Sequence, residues 1–118
     1  MASFTWRASM PPTQLEAHFG DRVVRCFVDR PRNVNALFAE ALTRNRDGEA
    51  LVCGDQRLTW RALDDAVASV ACGLAQCGIA RGDRVALLLG NRAEFVIALI
   101  AAARLGAPDD GRLRRFPA

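Results

Sequence analysis

A chain of 118 residues, 51% hydrophobic and 25% charged, has the composition of one small globular domain, which excludes the disordered class. Its formal charge of +3 is carried by arginines scattered among acidic residues, so no basic stripe points to nucleic acid as a partner. All sixteen basic residues are arginine, and the lack of lysine rules out both a Walker-type phosphate lysine and Schiff-base chemistry.

Residues 1–32 read as an irregular lead-in. Pro11, Pro12 and Pro31 interrupt any long helix, while Val23, Val24, Phe27 and Val28 offer a short extended segment that could lie against a core. Met1 to Pro12 carries one arginine and no run of seven apolar residues, unlike a signal peptide, so the expected location is cytoplasmic. From Asn33, a capping residue, Val34, Leu37, Phe38, Ala41 and Leu42 repeat at helical spacing, which predicts a helix to about Arg46 ended by Asp47 and Gly48. Ala50 to Cys53 and Gln56 to Thr59, joined by Gly54-Asp55, predict a β-hairpin. Thr59 then caps a second helix whose stripe is Trp60, Leu63, Val67, Val70 and Leu74. Gly78 in a left-handed conformation, with Ile79 folding back on Leu74, should close it as a Schellman motif.

Arg81-Gly82-Asp83 spells a cell-adhesion tripeptide, but a tight turn is all that its position requires. The uninterrupted run Val85, Ala86, Leu87, Leu88, Leu89 predicts a strand covered on both faces, as in parallel sheets. Hairpin, helix and strand would then form a right-handed β-α-β unit. Asn91 as N-cap with Glu94 three residues on predicts a third helix, with Phe95, Val96, Leu99, Ile100 and Ala103 on its buried face and Gly106 and Pro108 as its stop. Its greasiest part, Val96 to Ala103, is eight residues long, far short of the about 20 that a membrane span needs. Residues 109–118 show no strand pattern, although alternating α/β order calls for a strand there. Arg112, Arg114 and Arg115 would either be solvated or grip an anionic surface.

No catalytic, cofactor-binding or metal-ligating residue emerges from the spacing. Cys26, Cys53, Cys72 and Cys77 contain no C-x-x-C pair, and the single histidine, His18, reads as far from them in sequence, so no zinc site is expected. Cys72 and Cys77 would point about 140° apart on a helix, so the thiols read as small buried groups in a reducing compartment. The glycines read as turns and helix stops, with no phosphate-binding glycine loop and no G-x-S-x-G nucleophile elbow.

With these elements placed, Val34 to Ala107 resembles the beginning of an AMP-forming acyl-CoA synthetase of the adenylate-forming (AMP-binding) superfamily. Leu58-Thr59-Trp60-Arg61-Ala62-Leu63 is similar to the family's L-T-Y-x-E-L motif, with Trp60 for tyrosine and Ala62 for glutamate. Gly82-Asp83-Arg84-Val85 resembles its G-D-R-V strand entry, and Asn91 to Phe95 with Arg104 to Ala107 resembles the helix that follows. The last of these favours acid-CoA ligases over peptide-synthetase adenylation domains.

The resemblance implies a partial N-terminal subdomain of a larger α/β enzyme (helix, β-hairpin, helix, buried parallel strand, helix) over residues 33–107, lacking its closing strands, with a basic tail at 108–118. It further implies a parent that turns a small-molecule carboxylic acid, ATP and CoA into an acyl-CoA through an acyl-adenylate, with Mg²⁺ to offset anionic repulsion. The family's V-P strand, Ser/Thr-Gly-rich phosphate loop, adenine-binding segments and catalytic lysine match no position here. No site residue carries over, and neither ATP, Mg²⁺ nor CoA is expected to bind this chain alone. The abrupt change after Ala107 or Pro108 reads as truncation or a shifted reading frame, leaving an inactive fragment. The alternatives are half of a split enzyme completed by a separate C-terminal polypeptide, and a small anion-binding module.

Overall fold

The computed structural model describes residues 10–106, which divide into two compact units at Pro31/Arg32. Instead of an irregular lead-in, the described part of the first unit is an antiparallel hairpin of β1 (Thr13–His18) and β2 (Arg22–Phe27). Its register pairs Thr13 with Phe27 and His18 with Arg22, which leaves a three-residue loop in which Phe19 and Gly20 both have positive φ, 55° and 88°. Val23, Val24, Phe27 and Val28 are exposed rather than laid against a core.

The second unit contains α1 (Val34–Arg44), the hairpin β3 (Glu49–Cys53) and β4 (Gln56–Thr59), α2 (Trp60–Gln76) and α3 (Ala93–Gly106). The helix starts follow from local chemistry. Asn33 Oδ1 accepts from the Ala36 amide at 2.8 Å and Thr59 Oγ1 from the Ala62 amide at 3.1 Å, each satisfying an amide that the first turn leaves free. Glycine at position 54 takes φ 59°, which lets β3 turn into β4 in two residues. The Schellman ending of α2 forms as expected: Ile79 N–H donates to Leu74 O, Gly78 N–H to Ala75 O, and Gly78 has φ 91°. Ala80 and Asp83 close the Arg-Gly-Asp stretch into a turn, with the Asp83 amide donating to Ala80 O and the Ala80 amide to Asp83 Oδ2.

The core of this unit is a helix junction. Phe38 of α1, Leu63, Val67 and Ala71 of α2, and Ile100 and Ala101 of α3 are buried together, with Leu51, Leu58 and Trp60 packed on them. On α2 the buried positions recur every four residues. Val70, the fourth member of the expected stripe, falls to the edge of that face and is exposed. On α3 the buried stripe runs through Ala93, Ile100 and Ala101, while Leu99 faces out. Phe38 and Trp60 meet with ring centroids 5.7 Å apart and tilted by 56°, an arrangement that suits the aromatic quadrupoles.

The chain is a mixed helix and strand domain, the partial α/β class expected, but three local expectations change. Val85–Leu89 joins no sheet, because β3 and β4 pair only with each other and no other strand lies beside it among the described residues. The β-α-β unit is therefore not formed. Val85 and Leu87 are partly covered, whereas Ala86, Leu88 and Leu89 are exposed, Leu88 to 99%. Coverage at Val85 and Leu87 and exposure at Ala86 and Leu88 have the spacing of a strand with one covered side, a pattern that Leu89 breaks. The third helix also begins at Ala93 rather than directly after Asn91, and Glu94 pairs with the Arg92 side chain instead of reaching back to an Asn91 cap. Gly106 has no positive φ and is helical, so it is not the expected left-handed stop. Pro108 and the arginines of the tail lie outside the described residues.

Candidate functional site

Polar groups gather in two places, one in each unit. In the helical unit, Arg104 enters the helix junction from α3. Its Nη2 donates to Asp64 Oδ1 of α2 at 2.7 Å, its Nε donates to Asn35 Oδ1 of α1 at 3.4 Å, and its guanidinium carbon lies 5.8 Å from the Phe38 ring centroid. Both charged side chains are about three-quarters covered, at 26% and 24% exposure, so this pair is screened less than a surface pair. One planar cation thus ties three helices together. No spacing rule reveals that role, because Asn35, Asp64 and Arg104 are 69 positions apart end to end.

In the hairpin unit, residues two apart on β1 share a face, and β2 brings Cys26 to that same face. His18 Nε2 is 3.0 Å from Glu16 Oε2 and 3.6 Å from Cys26 Sγ. Arg30 clamps the carboxylate from the other side, with Nη1 donating to Oε1 at 2.9 Å and Nη2 to Oε2 at 2.6 Å. The Arg30 fork, helped by Gln14 and His18, lowers the Glu16 carboxyl from the usual 4.5 to about 2, and Glu16 in turn raises the Arg30 guanidinium. Because the folded value is the lower one, this pairing is fully present above pH 4.5 and is lost as pH falls toward 2. A side-chain carboxyl titration followed by NMR should therefore find Glu16 charged at pH 3 in the intact chain, and Arg30→Ala should return its midpoint toward 4.5.

The structure also revises the reading of the cysteines. Cys72 and Cys77 are exposed rather than buried, and only Cys26 and Cys53 are half-buried. A broad depression along α1 is open and lined by Ala39, Glu40, Thr43 and Arg44. Among the described residues, the only trio of side chains close enough to share a metal ion is Glu16, His18 and Cys26. A thiol and an imidazole are poor partners for Mg²⁺, which takes an octahedron of oxygens, so this trio does not suit that ion.

Comparison with known proteins locates the relationships of the second unit. The family described as AMP-binding enzyme matches residues 38–109. A medium/long-chain-fatty-acid–CoA/3-oxocholest-4-en-26-oate–CoA ligase of Mycobacterium marinum is 36% identical over 75 residues, 64% of this chain and 14% of the ligase. An isonitrile lipopeptide synthase of Mycobacterium tuberculosis is 38% identical over 77 residues, 65% of this chain and 3% of the synthase. An uncharacterized protein of the same species is 35% identical over 92 residues, 76% of this chain and 53% of that protein. The chain thus spans about half or less of the length of these relatives. Both clusters of polar groups have members outside the matched residues: the whole of the hairpin cluster, and Asn35 of the helix junction.

Proposed function

This chain belongs to the AMP-binding enzyme family, and we propose that it supplies an N-terminal α/β portion of an acid-CoA ligase and performs no adenylation by itself. The reaction that this reading assigns to the whole enzyme begins with attack of a carboxylate on ATP, releasing pyrophosphate and forming an acyl-adenylate. A CoA thiol then displaces AMP from the acyl carbon. The similarity to a fatty-acid–CoA ligase supports a carboxylic acid of the fatty-acid type as substrate. The free thiols support a reducing, cytoplasmic setting.

The observation that carries the reading is the composition of the cationic residues. Two anions must be brought together at the phosphorus, and in this family a lysine serves the reaction as a compact charge. Here all sixteen basic residues are arginine, whose broad planar fork does not substitute for an ammonium at such a point. Purified chain incubated with ATP, Mg²⁺, CoA and a series of fatty acids should yield neither AMP nor acyl-CoA above a mock purification. Acid-dependent AMP release that co-elutes with the chain would overturn the proposal.

A second reading, assembly with a complementing polypeptide, is favoured by one feature of the fold. Val85–Leu89 is apolar and pairs with no strand among the described residues, with Leu88 fully in solvent. A strand of this composition is stable when neighbours on both edges take its backbone hydrogen bonds and another layer covers its outer face. The occupant this suggests is the remainder of an AMP-binding domain, which the lengths of the relatives leave room for.

A further inference from the structure

We propose that the first hairpin is a zinc-binding staple, with Glu16 Oε2, His18 Nε2 and Cys26 Sγ as its three protein ligands and water at a fourth, solvent-facing position. This departs from the sequence-based expectation of no metal ligands, which counted spacing along the chain and not proximity across a hairpin.

Two of the three edges between the ligand atoms fit the ion. Zinc lies at about 2.3 Å from a thiolate sulfur and about 2.0–2.1 Å from an imidazole nitrogen or carboxylate oxygen, so in a tetrahedron the sulfur–nitrogen edge is about 3.5 Å and the nitrogen–oxygen edge about 3.3 Å. The corresponding separations here are 3.6 Å and 3.0 Å. All three donor atoms lie within 4.8 Å of one another, on side chains that are neither fully buried nor fully exposed. A mixed sulfur, nitrogen and oxygen set selects zinc over magnesium and calcium. Arg30 need not leave: it keeps its 2.9 Å bond to Oε1 while Oε2 turns to the metal, which fixes the carboxylate in position.

The hairpin also has a use for such a link. A two-stranded hairpin is marginal in water when it stands alone, and this one, within its unit, exposes Leu15, Val23, Phe27 and Val28. The ligands come from both strands, so bound metal joins β1 to β2 between Glu16–His18 and Cys26. Nothing in this proposal depends on the acid-CoA ligase reading, since all three ligands lie outside residues 38–109.

The test uses the full chain with Cys53, Cys72 and Cys77 changed to serine, leaving Cys26 as the single thiol. Titration with Co²⁺ should produce thiolate-to-cobalt charge-transfer absorption together with intense tetrahedral ligand-field bands, and one equivalent of Zn²⁺ should bleach both. His18→Ala and Cys26→Ser should each weaken zinc binding by about tenfold or more, measured against a chromophoric chelator. To separate lost ligands from lost structure, the Leu15–Arg25 cross-strand contact is followed by NMR in each variant without metal. In the three-serine chain, zinc should also slow amide exchange in β1 and β2. Octahedral cobalt spectra without charge transfer, or unchanged zinc affinity in a Cys26→Ser chain that keeps the cross-strand contact, would overturn the proposal.

Discussion

Val67→Asp should abolish the helical unit. Val67 is completely buried at the centre of the α2 face, between Leu63 and Ala71 and among residues of α1 and α3. Arg104, the cation of that junction, is already committed to Asp64 and Asn35. Leaving a charge unpaired in a core, or neutralising it, costs on the order of 4 kcal/mol, most of what a domain this small has to lose. Far-ultraviolet circular dichroism should show loss of helix at 25 °C without denaturant. Ser69→Asp, on the exposed face of the same helix, should stay within about 0.5 kcal/mol of the parent. A Val67→Asp chain with the parent's urea midpoint would show that α2 is not packed as described.

The second large effect concerns complementation. If the apolar run 85–89 is a sheet strand in waiting, co-production with the remaining portion of the Mycobacterium marinum ligase should give acyl-CoA formation that neither polypeptide gives alone. Leu88→Asp combined with Leu89→Asp should lower that restored activity by about 100-fold or more, because docking would then bury two carboxylates at a cost near 2.7 kcal/mol. The same pair should leave the isolated chain's helix content unchanged, since both side chains are exposed in it. Restored activity that is indifferent to the double substitution would place the contact elsewhere.

What could be read from sequence was whatever local chemistry decides. Asn33 and Thr59 cap their helices because a side-chain oxygen three residues before an amide can reach it whatever else the chain does. Gly78 ends α2 because the left-handed position costs glycine little, and the β3–β4 hairpin turns at Gly54 for the same reason. Non-local matters were not legible. The run Val85–Leu89 announces a need for burial on both faces, but a strand exists only where another strand pairs with it, and no such neighbour follows from the run itself. The first hairpin was missed because its strands are mostly exposed and its loop sets Phe19 at φ 55°, a conformation that bulky residues seldom announce.

The polar clusters follow the same division. Glu16 and His18 share a face by the period of a strand, which the sequence allows, but Cys26 joins them only through the hairpin register that pairs it with Gln14. In the sequence Arg104 directly follows the apolar run Val96 to Ala103. In the fold its long stem spans the helix junction so that the guanidinium meets Asp64 and Asn35. Family membership, by contrast, was legible from short motifs in order, and the matched residues 38–109 cover those motifs.

Hydrogen exchange at the amides of Val85 to Leu89 tests most directly whether this chain carries a strand that its own described residues do not pair. In the isolated chain these amides should exchange within seconds at neutral pH while those of Leu63 to Ala71 remain protected, and addition of the complementing ligase portion should protect them as well. Slow exchange at 85–89 in the isolated chain, or rates that the added portion leaves unchanged, would contradict it.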